Sequence, residues 1–403
     1  MTTASSSAVQ LPLASRIDGL RSEGAFEVLA RARALEASGQ HILHLEIGEP
    51  DFPTAPHIVE AAVRAMQNGE TKYGPAGGLL GLRVAIANHL ASLGIASAPD
   101  DVVVTPGSKP ILLYAALALL ESGDEALIPD PAYPIYDSVV RFAGARPVTY
   151  RLEAASNFAP DLDAIAASIT SRTRVLVLNT PQNPTGGVID AGRLTALAQL
   201  AEENDLTLIV DEIYRPFNYG ASAVPSILTI PGMRERCILV DGFSKAYAMT
   251  GWRLGYGLLP TPLAPRFALL ALNDHACVPA FVQRAGIAAL EGTQEPLHAM
   301  IAEFAQRREL VAARLAAIPG VRMSAPAGAF YAFPDVSAIT AAAGITAAQL
   351  ATKLLLEYGV ALLPGTAFGA AGEGYLRLSF ATGRADLDRA LELVYQCFAS
   401  LQT

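Results

Sequence analysis

From about residue 100 to 260, short apolar, β-branched runs alternate with longer stretches whose apolar positions recur at helical spacing. The runs Asp101–Thr105, Glu125–Pro129, Arg146–Tyr150, Arg174–Leu178, Thr207–Asp211, Cys237–Asp241 and Leu254–Leu259 are expected as strands. Helical patterns such as Ile111–Glu121 and Ala191–Asn204 lie between most of them. Continuous apolar strands joined by helices predict a mostly parallel sheet, buried on both faces, inside a three-layer α/β domain. The last run follows its predecessor too closely for a helical crossover, so it is expected to be antiparallel.

Beyond about residue 285 the pattern changes. One long helix is expected over Val282–Ala317, then Val321–Pro334, a helix Ala347–Tyr358, strand-like Val360–Pro364, a strand Gly374–Phe380 and a final helix Asp386–Leu401. This order predicts a smaller α+β domain. The resulting division is an N-terminal arm and helix (1–45) packing with the small domain, a large domain (46–285) and the small C-terminal domain (286–403).

Composition narrows the function classes. The 403 residues are 52% hydrophobic and only 17% charged, as in a well-filled globular core. A net charge of −9 opposes nucleic acid as a main partner. No apolar run is long enough for a membrane span, and Met1–Leu13 lacks the basic start of a signal peptide. Cys237, Cys277 and Cys397 are widely spaced and odd in number, as expected of buried thiols in a cytoplasmic protein. The six histidines show no metal-ligand spacing, so no metal is expected.

The chemistry concentrates where strands end. Ser244 and Lys245 follow the strand ending at Asp241, and Arg253 stands eight positions on (253 − 245). A lysine beside cationic charge in an apolar setting has a lowered pKa and suits Schiff-base chemistry. A hydroxyl and an arginine fork suit a phosphate. Asp211 ends another strand and is either a helix cap or a partner for a protonated ring nitrogen. Tyr214 lies three residues on, as a hydroxyl donor or a packing residue. Asn183, in Asn183-Pro184-Thr185-Gly186, is either a turn residue or a donor to a phenolate oxygen. Gly107 and Ser108 open a helix, where free N–H groups face an anion. Tyr133 follows one more strand end and could stack on a heteroaromatic ring. In Tyr375–Phe380, Arg377 is the only charge, so it faces outward or is buried against a ligand carboxylate.

These residues occur in the order seen in a known family. From Ile47-Gly48-Glu49-Pro50-Asp51-Phe52 through Tyr73-Gly74-Pro75-Ala76-Gly77, Asn183-Pro184-Thr185-Gly186, Asp211-Glu212-Ile213-Tyr214 and Ser244-Lys245 to Arg377, the chain resembles the fold-type I, class I/II pyridoxal-phosphate aminotransferases. The aspartate aminotransferase-like subgroup is the most similar. The resemblance implies the three-layer fold of that class, with a seven-stranded mostly parallel sheet, and pyridoxal 5′-phosphate as cofactor. It implies ping-pong transamination between an L-amino acid and a 2-oxo acid, possibly of aspartate/glutamate type. Lys245 would be the Schiff-base lysine and proton-transfer base, and Asp211 the ring-nitrogen partner. Asn183 and Tyr214 would hold the phenolic oxygen, and Tyr133 would stack on the ring. Gly107, Ser108, Ser244 and Arg253 would hold the phosphate, with Tyr73 reaching it from a second subunit of a homodimer. Arg377, with Gly48 and Asn183, would bind the substrate carboxylate. Lys109 either joins this site, facing a distal carboxylate, or is a surface residue. Asp274 and His275 depart from the small, hydroxyl-rich residues expected at the dimer interface. A β-lyase on the same fold shares the lysine, aspartate and asparagine and is the alternative reaction.

Overall fold

The computed structural model describes residues 12–220 and 223–401, so the first eleven residues of the expected N-terminal arm lie outside it. A short strand, β1 (Leu43–His44), comes first. The large sheet follows, with β2 (Val102–Thr105), β3 (Glu125–Asp130), β4 (Arg146–Arg151), β5 (Thr173–Asn179), β6 (Thr207–Asp211), β7 (Cys237–Gly242) and β8 (Gly255–Leu258). Its order is β2-β8-β7-β6-β5-β3-β4. Pairing is parallel throughout except at β8, which runs antiparallel to both neighbours. The seven expected strands are therefore all present, with ends shifted by a residue at most.

Period-2 alternation explains the layers. Val104, Leu127, Leu176, Leu178, Leu208, Val210 and Leu239 enter one core, on one face of the sheet. Val103, Ile128, Val175, Val177, Ile209, Ile238 and Val240 enter another, on the opposite face. Successive side chains point to opposite faces, so only strands apolar at nearly every position can be covered on both. The edge strand β4 is the exception, with four of its six residues intermediate or exposed besides Arg146 at its exposed start.

The C-terminal third adds β9 (Tyr331–Ala332), β10 (Val360–Ala361), β11 (Leu363–Pro364) and β12 (Leu376–Ser379). A third core gathers here, including Phe217, Phe304, Phe330, Phe380 and Phe398. Two expectations need correction. The long helix over Val282–Ala317 is two helices, Ala280–Glu291 and Glu295–Ala316. Gly292 sits at the break, where a Cβ would lie 2.5 Å from the Ala288 carbonyl oxygen and 2.7 Å from the His57 ring. The Gln294 side chain donates to the carbonyls of Ala289 and Gly292, each at 2.9 Å. Pro296, lacking an N–H, then fits the first turn of the new helix. The run Val360–Pro364 likewise divides: β10 pairs with β1, while β11 pairs with β12. Among the described residues no single helix is long and apolar enough to cross a membrane.

Candidate active site

Because β2, β3, β5, β6 and β7 run the same way, their C-terminal ends meet along one edge of the sheet, where α/β folds place ligands. A cavity of about 540 Å³ opens there. It is lined by Gly48, Ser108, Lys109, Tyr133, Asn183, Asp211, Tyr214, Ser244, Lys245, Arg253 and Arg377, eleven of the thirteen residues singled out from the sequence. Gly107 stands just behind the wall. Its φ of +83° suits glycine, and a Cβ there would come within 2.3 Å of Arg253 Nη2. Tyr73 is 92% exposed and lines no part of this cavity.

Register sets the centre of the site. Asp211, at the end of β6, is paired with Asn179 of β5 and Val240 of β7, so it lies in the middle of the sheet. Its carboxylate accepts hydrogen bonds from Tyr136 Oη at 2.8 Å and the Ile213 N–H at 3.2 Å. Burial raises its pKa to about 6, against the pull of those two donors and of the Lys245 charge. Asp211 is thus ionised at neutral pH, as a partner for a protonated ring nitrogen must be. The helix-cap alternative is not what forms: a turn follows β6, and among the described residues the next α-helix begins at Ala264.

Lys245 stands just beyond the end of β7. Its Nζ donates to the Gly48 carbonyl at 2.6 Å and lies 5.9 Å from the Tyr214 ring centroid. Burial lowers its pKa to about 8, and Arg253, Arg377 and Lys109 push the same way against Glu49. The free amine is thereby brought near neutral pH. Gly48 has to be glycine, because a Cβ would fall 1.8 Å from Tyr331 Oη.

Of the eight buried side-chain polar atoms without a hydrogen-bond partner among the described residues, two belong to residues that line this cavity: Asn183 Oδ1 and Arg377 Nε. Arg377, on β12, is buried rather than outward-facing, and its Nη2 donates to the Glu46 carbonyl. Its guanidinium lies over the Tyr331 ring at 4.7 Å and the Phe368 ring at 5.2 Å. An unsatisfied buried polar atom costs about 1–3 kcal/mol, more when charged, so an orphaned guanidinium N–H on a cavity wall suits a ligand carboxylate that meets it. At the far end, Ser108, Ser244 and Arg253 converge, and Arg253 is held by the carbonyls of Thr250 (3.0 Å) and Pro106 (3.3 Å). A hydroxyl pair, a guanidinium and a helix start fit a phosphate. Buried Asp211, the Lys245 amine and the anion cradle together fit pyridoxal phosphate.

Other lining residues were not anticipated. Tyr136, which holds Asp211, was legible in principle, three positions after Tyr133. Tyr331 bonds Tyr214 Oη to Oη at 2.6 Å and supports Arg377, yet it sits in a Phe-Tyr-Ala-Phe run that reads as plain core. Glu23 carried no signal at all, being one acid in a polar N-terminal stretch. Asp274 and His275 line no part of the cavity; the Tyr114 hydroxyl contacts both, at 2.7 and 3.2 Å.

The family model for class I and II aminotransferases matches residues 40–394. The aspartate aminotransferase of Musicola paradisiaca is 38% identical over 97% of this chain and 98% of its own. An aromatic aminotransferase from Pyrococcus horikoshii superposes with a TM-score of 0.86 at 38% identity, covering 92% of this chain and 99% of that one. The Thermus thermophilus aspartate aminotransferase with maleate gives 0.90 at 35%, covering 96% and 100%. The chain belongs to the class I and II aminotransferase family. It is a pyridoxal-phosphate-dependent transaminase of fold type I, and the β-lyase alternative is not favoured by relatives that carry aminotransferase names.

Proposed function

We propose that this cavity moves an amino group between an L-amino acid and a 2-oxo acid, with Lys245 as the covalent anchor and proton-transfer base. The observation that carries the assignment is the opposed pair at its centre, an aspartate with a raised pKa and a lysine with a lowered one. When bound, pyridoxal phosphate supplies an electron-accepting ring that stabilises negative charge at the substrate Cα. Asp211 keeps the ring nitrogen protonated, Asn183 and Tyr214 hold the phenolic oxygen, and Tyr133 packs beside the ring. Gly107, Ser108, Ser244 and Arg253 hold the phosphate. Arg377 grips the substrate α-carboxylate with its guanidinium fork, near Gly48 and Asn183, and so fixes Cα beside Lys245. Lys245 Nζ then takes the Cα proton, which its lowered pKa allows near neutral pH.

The side-chain specificity is less constrained than the reaction. Relatives named for aspartate and for aromatic substrates share this fold at similar identity. We propose a homodimer with shared sites, supported by the exposed Tyr73 ring and by exposed Leu269 and Leu272 on the helix Ala264–Asp274. We further propose the division 1–45, 46–285 and 286–403, and a cytoplasmic location, with which three free cysteines agree. Absorbance tests the assignment. Lys245→Ala is expected to abolish the protein-bound cofactor band seen in the wild type and to slow the half-reaction at least about 10³-fold. An unchanged band would remove Lys245 from the site.

A further inference from the structure

The mouth of the cavity carries an acid that the proposed reaction does not use. Glu23 immediately precedes the helix Gly24–Ala37, and its side chain lines the cavity. Its carboxylate pairs with Lys109 Nζ and accepts from Tyr133 Oη, 3.2 Å from each carboxylate oxygen. Lys109 Nζ also lies 5.7 Å from the centroid of the Tyr133 ring. The segment bearing Glu23 is tied down: the Arg21 N–H donates to Ser138 Oγ at 3.1 Å, and its guanidinium meets Asp137 at 3.3 Å.

Four cations line this cavity: Lys109, Lys245, Arg253 and Arg377. With the last three engaged by the α-carboxylate, the phosphate and the proton transfer, Lys109 is the cation left for a second, distal carboxylate among the described residues that this chain contributes to the cavity. Glu23 already occupies it. We propose that Glu23 is a specificity-determining residue that withdraws Lys109 from distal carboxylates, so the site favours amino acids with uncharged side chains. A dicarboxylate must break the Glu23–Lys109 pair and then sit beside the released carboxylate, whereas a neutral side chain leaves the pair intact. The neighbouring walls, Ala25, Phe26, Ile47, Leu112 and Phe368, are apolar and receive such a side chain.

This inference rests on the proposed transamination, and its test separates the two. Half-reaction spectra of the holoenzyme are recorded with alanine, leucine, phenylalanine, aspartate and glutamate, for wild type, Glu23→Gln and the double variant Glu23→Gln/Lys109→Ala. Calorimetry of maleate against 3-phenylpropanoate on the same proteins measures binding without turnover. Wild type is expected to prefer the neutral donors. Glu23→Gln is expected to raise the dicarboxylate-to-neutral ratio of kcat/KM about ten- to hundredfold, the size of one charge-assisted hydrogen bond released to the ligand. Maleate affinity should rise in parallel, and the double variant should lose both gains. An unchanged ratio in Glu23→Gln, or a wild type that prefers dicarboxylates, overturns the role of Glu23. Turnover of none of the five donors overturns the transamination instead, and the maleate titrations still decide the role of Glu23.

Discussion

At the two ends of the same strands, the large sheet carries two groups of buried charge that are satisfied to opposite degrees. At the N-terminal edge, Glu125 opens β3 and is fully buried. It accepts from Arg146, from Arg172 through Nε (3.1 Å) and Nη2 (3.0 Å), and from the Thr170 hydroxyl at 2.7 Å. The Arg146 bond leads these donors in holding its pKa down at about 2. At the C-terminal edge, burial wins: Asp211 is pushed up to about 6 and Lys245 down to about 8. Asn183 Oδ1 and Arg377 Nε have no partner. Burial alone therefore does not mark a site. Buried charge with every donor supplied holds strands together, while buried charge left short of partners is arranged for something that arrives later.

That contrast can be broken experimentally. The largest effect is expected from Asp211→Asn, which should slow the half-reaction by roughly 10²–10³-fold. Its folding stability should change by less than about 1 kcal/mol, because a desolvated charge is removed along with its bonds. A destabilisation of several kcal/mol in urea would place Asp211 with the structural charges. Glu125→Gln should do the reverse, leaving half-reaction rates alone while lowering unfolding stability by about 1–3 kcal/mol. The sign with pH follows from its depressed pKa. The stabilisation by Glu125 is complete above its ordinary value of 4.5 and is lost as pH falls through about 2. The gap between wild type and variant should therefore close across that window, and a constant gap would contradict the ion cluster. The smallest effect is a displaced titration. A lysine with a lowered pKa is neutral above about 8, so cofactor capture by the apoprotein should quicken with pH and level off there. A midpoint near 10.5 would show that Lys245 is not desolvated.

The parallel sheet was legible because its strands are apolar at nearly every position, and that pattern has few other uses. β6 and the helix Ala347–Tyr358 begin and end where the periodicity puts them. The break at Gly292 was not, since it depends on the Ala288 carbonyl and His57 crowding one position, and His57 is remote in sequence. Arg377 was ambiguous for a related reason. One charge in a strand reads alike whether it faces water or the rings of Tyr331 and Phe368.

The sequence by itself determined which residues fall at strand ends, and hence that Lys245, Asp211, Asn183 and Ser108 share one edge. Strand positions and direction follow from local hydrophobic pattern and connection length, which travel along the chain, whereas the order β2-β8-β7-β6-β5-β3-β4 rests on pairings between distant segments. Only the tertiary structure decided the state of those groups. The raised pKa of Asp211, the grip of Tyr136 on its carboxylate and the capture of Lys109 by Glu23 arise from packing between segments distant in sequence. Electrostatics and desolvation act through space and fall off over a few ångströms, so no reading along the chain contains them.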